Sequence, residues 1–156
     1  MELAEQIEII LVEDNPLDAE LTMRGLKDEK LANNITWVKD GQQALDYLHR
    51  QKQWADPATS PRPGLILLDI HLPKVDGHGV LKAIKTNEAL RSIPVVMLTT
   101  SADNGEVVAT YRAGANSYVT KPLKFGLYRE QMRVVKDYWT MISAPPPVEP
   151  RTPAES

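Results

Sequence analysis

Five short apolar runs alternate with longer amphipathic stretches, and this alternation constrains the fold more than any other feature of the sequence. We expect the runs to form strands at Ile7–Val12, Asn34–Val38, Leu65–Leu68, Ile93–Leu98 and Ser117–Thr120. The first, third and fourth are almost continuous in Val, Ile and Leu, which is typical of strands covered on both faces of a parallel sheet. The second and fifth are more mixed, as edge strands can be.

Helical periodicity fills the stretches between the runs. Asn15 is a predicted N-cap with Pro16 in the first helical position, and Asp18 lies in the first turn, where a carboxylate is favoured. The further predicted helices are Gly41–His49, Gly79–Lys85, Asn104–Ala113 and Gly126–Met141. Five consecutive βα units predict an α/β fold, a doubly wound five-stranded parallel sheet with five helices.

Two segments lack this periodicity. Arg50–Pro63 contains three prolines and is predicted to be a long loop, in which Trp54 either pins the loop down or is exposed. Residues 144–156 are polar and rich in proline, so we expect a disordered or extended tail after a domain that spans residues 1–143.

Composition excludes several classes of function. The 156 residues suit one domain, and the absence of cysteine excludes a disulfide framework, a thiolate metal site and a cysteine nucleophile. The sequence has no apolar run of membrane-spanning length, and its acidic start does not resemble a signal peptide, so we expect a cytoplasmic protein. A net charge of −3 without a basic cluster argues against DNA as a partner.

Polar residues follow four of the five predicted strands. Glu13 and Asp14 follow the first, Asp69 the third, the pair Thr99 and Thr100 the fourth, and Lys121 the fifth. Ligands of open parallel sheets bind at the carboxyl ends of the strands, so we expect these groups to share one pocket. Carboxylates brought together repel one another, and a hard cation such as Mg²⁺ relieves that repulsion.

The predicted pocket suits phosphoryl transfer. Lys121 supplies a point charge for a phosphate oxygen, and Thr99 or Thr100 can donate a hydrogen bond to another. Asp69 is then the nucleophilic carboxylate and the product is an aspartyl phosphate. A phosphatase with an aspartate nucleophile would need a second Asp two positions on, where His71 stands. A flavin or nucleotide module would need a phosphate loop after the first strand, where the sequence is acidic.

Four segments in order resemble response-regulator receiver domains of the chemotaxis-regulator type, and the resemblance covers Glu8 to Trp139. The segments are IILVEDNP, LILLDIHLPKVDGHG, VVMLTTS and SYVTKP. The resemblance implies a flavodoxin-like strand order 2-1-3-4-5 and a phosphoacceptor switch, with at most autodephosphorylation as its enzymatic activity. A receiver-like scaffold that works without phosphorylation, and an intermediate of phosphotransfer, are the alternatives.

The resemblance also assigns roles to individual residues. Asp69 is the phosphoacceptor, Thr99 the switch hydroxyl, Tyr118 the switch aromatic and Lys121 the phosphate-binding lysine. The metal ligands that it implies are the carboxylates of Glu13, Asp14 and Asp69 and the backbone carbonyl of His71, with Mg²⁺ as the cofactor. In the family, the peptide before Pro122 is usually cis, and the positions of His71 and Ser101 border the route of the attacking water. The His71 side chain either tunes dephosphorylation or is only a loop residue.

The long loop and the segments GQQALDYL and KDYW resemble the single-domain regulators that pair with bacterial phytochrome histidine kinases. A sensor histidine kinase of that type is therefore the implied partner.

The last predicted helix carries a core stripe, Phe125, Tyr128, Met132, Val135, Trp139 and Ile142. A second apolar stripe lies about 120° away on the helical wheel: Leu127, Val134, Tyr138 and Met141. This second stripe predicts a homodimer through the fifth helix and the neighbouring fifth strand.

Overall fold

The computed structural model describes residues 8–26, 34–99, 103–121 and 125–138. The five strands are β1 (Glu8–Val12), β2 (Asn34–Val38), β3 (Leu65–Asp69), β4 (Val95–Thr99) and β5 (Ser117–Thr120). The five α-helices are α1 (Pro16–Leu26), α2 (Gly41–Leu48), α3 (Gly77–Lys85), α4 (Asn104–Arg112) and α5 (Phe125–Asp137). The strands pair in parallel in the order β2-β1-β3-β4-β5, which confirms the predicted α/β fold and its strand order.

The core has two halves, one on each face of the sheet. Alternate residues of β1, β3 and β4 point to opposite faces because side chains alternate along a strand. On one face the strands pack against Tyr128 and Met132 of α5 and Ala19 of α1. On the other face they pack against α2 and α3, with Val80 and Ile84 fully buried. None of the described α4 side chains belongs to either apolar cluster.

The predicted element ends are correct to within a few residues, and the exceptions have local causes. Helix α3 begins at Gly77 rather than Gly79, because the Asp76 side chain caps it by accepting a hydrogen bond from the Gly79 amide at 2.9 Å. Strand β4 begins at Val95 rather than Ile93, since Pro94 has no amide hydrogen to donate to the sheet. The predicted tail, and the last residues of the predicted fifth helix, lie outside the described residues.

The long loop after α2 is more ordered than its composition predicts. It contains one turn of 3₁₀-helix, Lys52–Trp54. The Trp54 ring packs edge-on against Tyr47 with 5.8 Å between ring centroids, and the Tyr47 hydroxyl donates to the Pro61 carbonyl at 2.8 Å. The structure therefore supports the prediction that Trp54 pins the loop down, because its side chain packs against the core rather than being exposed.

Candidate phosphoacceptor site

The acidic pair Glu13 and Asp14 directly follows β1. The backbone of Glu13 is held by β2, because its amide donates to the Val38 carbonyl at 3.1 Å and its carbonyl accepts from the Trp37 indole at 2.7 Å. The Glu13 side chain points into the protein and only 1% of the residue is exposed, whereas Asp14 is exposed. The two neighbouring residues therefore present one buried and one solvent-facing carboxylate at the same edge of the sheet.

Asp69 is the last residue of β3, one position beyond the predicted end of that strand, and is 7% exposed. Its two carboxylate oxygens have different partners. Oδ1 accepts the backbone N–H of His71 at 3.0 Å, and Oδ2 accepts the Lys121 ammonium at 2.9 Å. Gly77 packs directly against the backbone of Asp69, and a Cβ added at Gly77 would lie 2.3 Å from the Asp69 carbonyl oxygen.

Lys121 follows β5 and its side chain crosses to the acidic residues. Its backbone amide donates to the Thr99 carbonyl at 2.6 Å, which ties it to the end of β4. Its Nζ contacts three carboxylates, those of Glu13, Asp18 and Asp69, and the contacts to the last two measure 3.3 and 2.9 Å. Lys121 thus points toward Asp69, as the predicted pocket requires.

Burial and charge shift the proton affinities of this cluster. Burial, reinforced by the hydrogen bond and charge of Asp69, raises the pKa of Glu13 to about 8, against the opposing effect of Lys121. Burial alone would lower the pKa of Lys121, but hydrogen bonds and charge from Glu13 and Asp69 hold that pKa above its ordinary value. The Lys121 amine is therefore charged in the folded protein. Any further positive charge in the pocket would favour the ionised form of Glu13.

The donor set fits a hard divalent cation. One oxygen from each of Glu13, Asp14 and Asp69 lies within 4.8 Å of the other two, and all three are carboxylates of the kind that Mg²⁺ and Mn²⁺ accept as ligands. A cation there would counteract both causes of the raised pKa of Glu13, burial first and then the nearby Asp69 carboxylate. The residues present are thus suited to hold a metal ion.

Comparison with known proteins identifies the family. Residues 9–133 match the response regulator receiver domain. The chain belongs to the response regulator receiver domain family. Response regulator Rcp1 of Synechocystis sp. is 38% identical over 131 residues, which cover 84% of this chain and 87% of Rcp1. The probable methanogenesis regulatory protein FilR2 of Methanothrix harundinacea is 43% identical over 131 residues, covering 84% and 82% of the two chains.

Solved receiver structures have the same fold. The phosphorylated cyanobacterial phytochrome response regulator RcpA superposes with a TM-score of 0.87 at 33% identity, covering 92% of this chain and all of RcpA. The Mn²⁺-bound form of Rcp1 gives a TM-score of 0.84 at 36% identity, covering 90% and 99%. This receiver is therefore related to phytochrome response regulators, as the resemblance implied, and acts as a phosphoacceptor in two-component signalling.

Thr99 and Tyr118, the predicted switch residues of this receiver, lie on adjacent strands, where Thr99 is the last residue of β4 and Tyr118 is the second residue of β5. Thr99 is buried at the end of β4, and the Tyr118 side chain is partly buried against the core. The Tyr118 hydroxyl donates to Glu106 Oε1 at 3.3 Å, and the Tyr118 amide donates to the Tyr111 hydroxyl at 3.1 Å. Burial, followed by the charge of Glu106 and the hydrogen bond to it, raises the pKa of Tyr118, and a hydrogen bond with Thr99 acts in the opposite direction.

His71 lies at the mouth of the receiver site. Its side chain is 66% exposed, and its Nε2 is 3.9 Å from Glu106 Oε1. Its backbone amide, rather than its ring, contacts Asp69. The roles of the His71 ring in dephosphorylation and of its carbonyl as a metal ligand stay predictions, and Thr100, Ser101 and Pro122 lie outside the described residues.

Two residues of this region were not among the predicted site residues. Asp18 was expected only to favour the start of α1, yet its carboxylate reaches Lys121. Its place in the first turn of α1, directly after the carboxyl end of β1, could have indicated that it lies near the site. Glu106 gives no comparable indication, because its contacts with His71 and Tyr118 join segments that are distant in sequence.

Proposed function

We propose that this receiver accepts a phosphoryl group on Asp69 from a sensor histidine kinase, with Mg²⁺ as cofactor, and thereby switches its binding to another protein. The observation that carries the proposal is the contact of Lys121 with Asp69 beside the clustered oxygens of Glu13 and Asp14. It combines an acceptor carboxylate, a cation for the phosphoryl oxygens and a ligand set for a metal. We regard the protein as a phosphoacceptor switch, with at most autodephosphorylation as an enzymatic activity.

In the proposed transfer, one oxygen of Asp69 forms a bond to phosphorus while the phosphorus–nitrogen bond of the kinase phosphohistidine breaks, and the electron pair leaves with the imidazole. Lys121 neutralises phosphoryl oxygen charge, and its buried position makes that charge effective because little water screens it. Glu13, Asp14 and Asp69, with the backbone carbonyl of His71, would hold Mg²⁺, which supplies further neutralisation of the phosphoryl oxygens when bound.

The proposed switch runs through Thr99 and Tyr118. The phosphoryl group adds about −1.5 to −2 charge and new acceptor oxygens, to which the Thr99 hydroxyl can donate. A change at Thr99 reaches Tyr118 because the two side chains interact across adjacent strands. We further propose that the His71 ring tunes the lifetime of the aspartyl phosphate, and an unchanged half-life in His71→Ala would contradict that role.

The proposed kinase partner is of the bacterial phytochrome type, because the chain is similar along most of its length to Rcp1 and RcpA. Phosphotransfer from a purified phytochrome histidine kinase, compared with a kinase of another sensor class, tests this pairing. Transfer at equal rates from both kinases would contradict it.

The proposed output is a homodimer through α5 and β5. On α5, Tyr128 and Met132 are buried in the core, whereas Leu127 and Val134 are each 58% exposed and Tyr138 is 47% exposed. Leu127 and Val134 border one shallow apolar hollow, whose other lining residues are Val119 of β5 and Glu130, Gln131 and Val135 of α5. An apolar surface of this kind is typical of a protein interface. None of the helices in the described ranges is long and apolar enough to cross a lipid bilayer.

Incubation with acetyl phosphate and Mg²⁺, followed by intact mass measurement, tests the phosphoacceptor role. We expect a gain of one phosphoryl group, lost in Asp69→Asn and kept in the matched control Asp56→Asn, which changes a carboxylate in the exposed loop. A parent protein that gains no phosphoryl group would favour the scaffold reading. Onward transfer of the group to a second histidine would favour the phosphotransfer intermediate.

Sedimentation of the same samples tests the dimer. Val134→Glu places a charge in the exposed stripe and should leave a monomer, because burying an unpaired charge is costly. Leu17→Glu makes the same kind of change at a 51% exposed position of α1 and serves as the control. A Val134→Glu variant that sediments like the parent would contradict the interface.

A further inference from the structure

Lys121 is surrounded by more carboxylates than the proposed chemistry uses. Its ammonium has three donors, and the three carboxylates within ion-pair distance are those of Glu13, Asp69 and Asp18. Lys121 is 7% exposed, so its donors depend on these protein partners rather than on water. The third partner, Asp18, has no place in the proposed metal site.

Asp18 differs from the other two partners in its element and surroundings. It lies in the first turn of α1, where the Asn15 side chain caps the helix by accepting the amides of Leu17 and Asp18 at 2.9 and 3.1 Å. The Thr22 hydroxyl donates to the Asp18 carbonyl at 2.8 Å, which fixes the same turn. The Asp18 side chain is 30% exposed and is not part of the cluster Glu13, Asp14 and Asp69.

This separation matters when the site is loaded. In the proposed site, Glu13 and Asp69 would bind the divalent cation, and Asp69 would also carry the phosphoryl group. These two partners of Lys121 would therefore change their contacts during the reaction. Asp18 is anchored on α1 outside that cluster and would keep its contact with Lys121.

We propose that Asp18 is a positioning residue that holds the Lys121 ammonium toward Asp69 while Glu13 and Asp69 serve the metal and the phosphoryl group. This inference rests on the proposed function and deepens it. It also explains why a carboxylate stands at this point of α1, beyond its general preference for the first turn of a helix. A residue that acts only on the helix would stabilise α1 without affecting Lys121.

The first test compares the rate of phosphorylation by acetyl phosphate at saturating Mg²⁺ in the parent, Asp18→Asn and Glu20→Gln. Glu20→Gln removes one carboxylate from an exposed position of the same helix and controls for charge. We expect Asp18→Asn to lower the maximal rate about three- to tenfold, the effect of losing one charge-assisted contact, and Glu20→Gln to leave it unchanged. In a Lys121→Ala background, Asp18→Asn should cause no further loss, since the two residues act as a unit.

The second test is independent of phosphorylation. The ¹⁵N resonance of the Lys121 ammonium, assigned by its absence in Lys121→Arg, should be observable in the parent because the group is buried and paired. In Asp18→Asn it should shift and its hydrogens should exchange faster with water, while Glu20→Gln should match the parent. A lower stability of Asp18→Asn with an unchanged ammonium resonance would assign Asp18 to the helix alone and overturn the proposal.

The outcomes separate this inference from the proposed function. If the parent gains no phosphoryl group, the proposed function fails. If the parent is phosphorylated and Asp18→Asn reacts at the same maximal rate, the proposed function stands and the role of Asp18 is refuted. Additive losses from Asp18→Asn and Lys121→Ala would likewise refute it.

Discussion

Replacing Gly77 by alanine should damage the phosphoacceptor site without touching any of its charged groups. Gly77 begins α3 and its amide donates to the Ile70 carbonyl at 2.8 Å. The helix therefore starts directly against the backbone of Asp69 and Ile70. An added Cβ would lie 2.3 Å from the Asp69 carbonyl oxygen and 2.6 Å from Ile70 Cα. Both neighbours are backbone atoms, which cannot rotate away as a side chain does.

The distances set the size of the effect. Real Cβ atoms essentially never come closer than 3.0 Å, so the Asp69 carbonyl would have to move by about 0.7 Å, the difference from 2.3 Å. Alanine favours a helix over glycine by about 1 kcal/mol, and overpacking against a rigid neighbour costs about 1–3 kcal/mol or more. Because backbone must shift, the overpacking cost lies near the upper end of this range, about 3 kcal/mol, and we expect a net loss of about 2 kcal/mol in the free energy of unfolding. The shift should also slow phosphorylation, since Lys121 and Asp69 lose their alignment.

Urea unfolding and the acetyl phosphate assay measure the two effects. Gly79→Ala is the matched control, because it adds a methyl group two residues along α3, where the closest atom is the side-chain Val75 Cγ1 at 2.8 Å. We expect the control to unfold near the midpoint of the parent and to be phosphorylated at its rate. Parental stability and rate in Gly77→Ala would refute the assignment of Gly77 as the support of Asp69.

Three other groups give separate predictions. The pKa of Glu13 is raised from 4.5 to about 8, so the folded state binds its proton more tightly, and metal-free protein should lose stability as pH rises from about 4.5 to 8. Glu13→Gln should flatten this pH dependence in urea unfolding. An equal pH dependence in both proteins would contradict the prediction. Tyr128→Phe removes the buried 2.6 Å hydrogen bond to Thr22 and should cost about 1 kcal/mol, so an unchanged urea midpoint would count against it. Glu106→Gln should lower the pKa of Tyr118, read from its ring resonance in NMR, because the carboxylate charge is lost while burial remains; a constant pKa would exclude that charge as a cause.

The pattern of apolar runs was sufficient to predict the sheet. Runs such as Leu65–Leu68 are apolar on both faces, so they are buried when helices cover both faces of the sheet. Helices that connect successive strands are typical of a parallel sheet. The carboxyl-end rule then placed Glu13, Asp14, Asp69 and Lys121 at one edge, which is where they lie. Within the described part of α5, spacing also predicted that Tyr128 and Met132 are buried and that Leu127 and Val134 are exposed, because helical periodicity decides which residues face the sheet.

Only the tertiary structure decided which groups touch. The position of Lys121 after the fifth strand places it near the acidic edge, but the sequence does not reveal that Asp18 is its third partner or that Glu106 lies between His71 and Tyr118. These contacts join elements that are far apart in the chain, and their geometry depends on how each helix packs on the sheet. Periodicity records which face of an element is buried, and it carries no information about the distance between side chains on different elements.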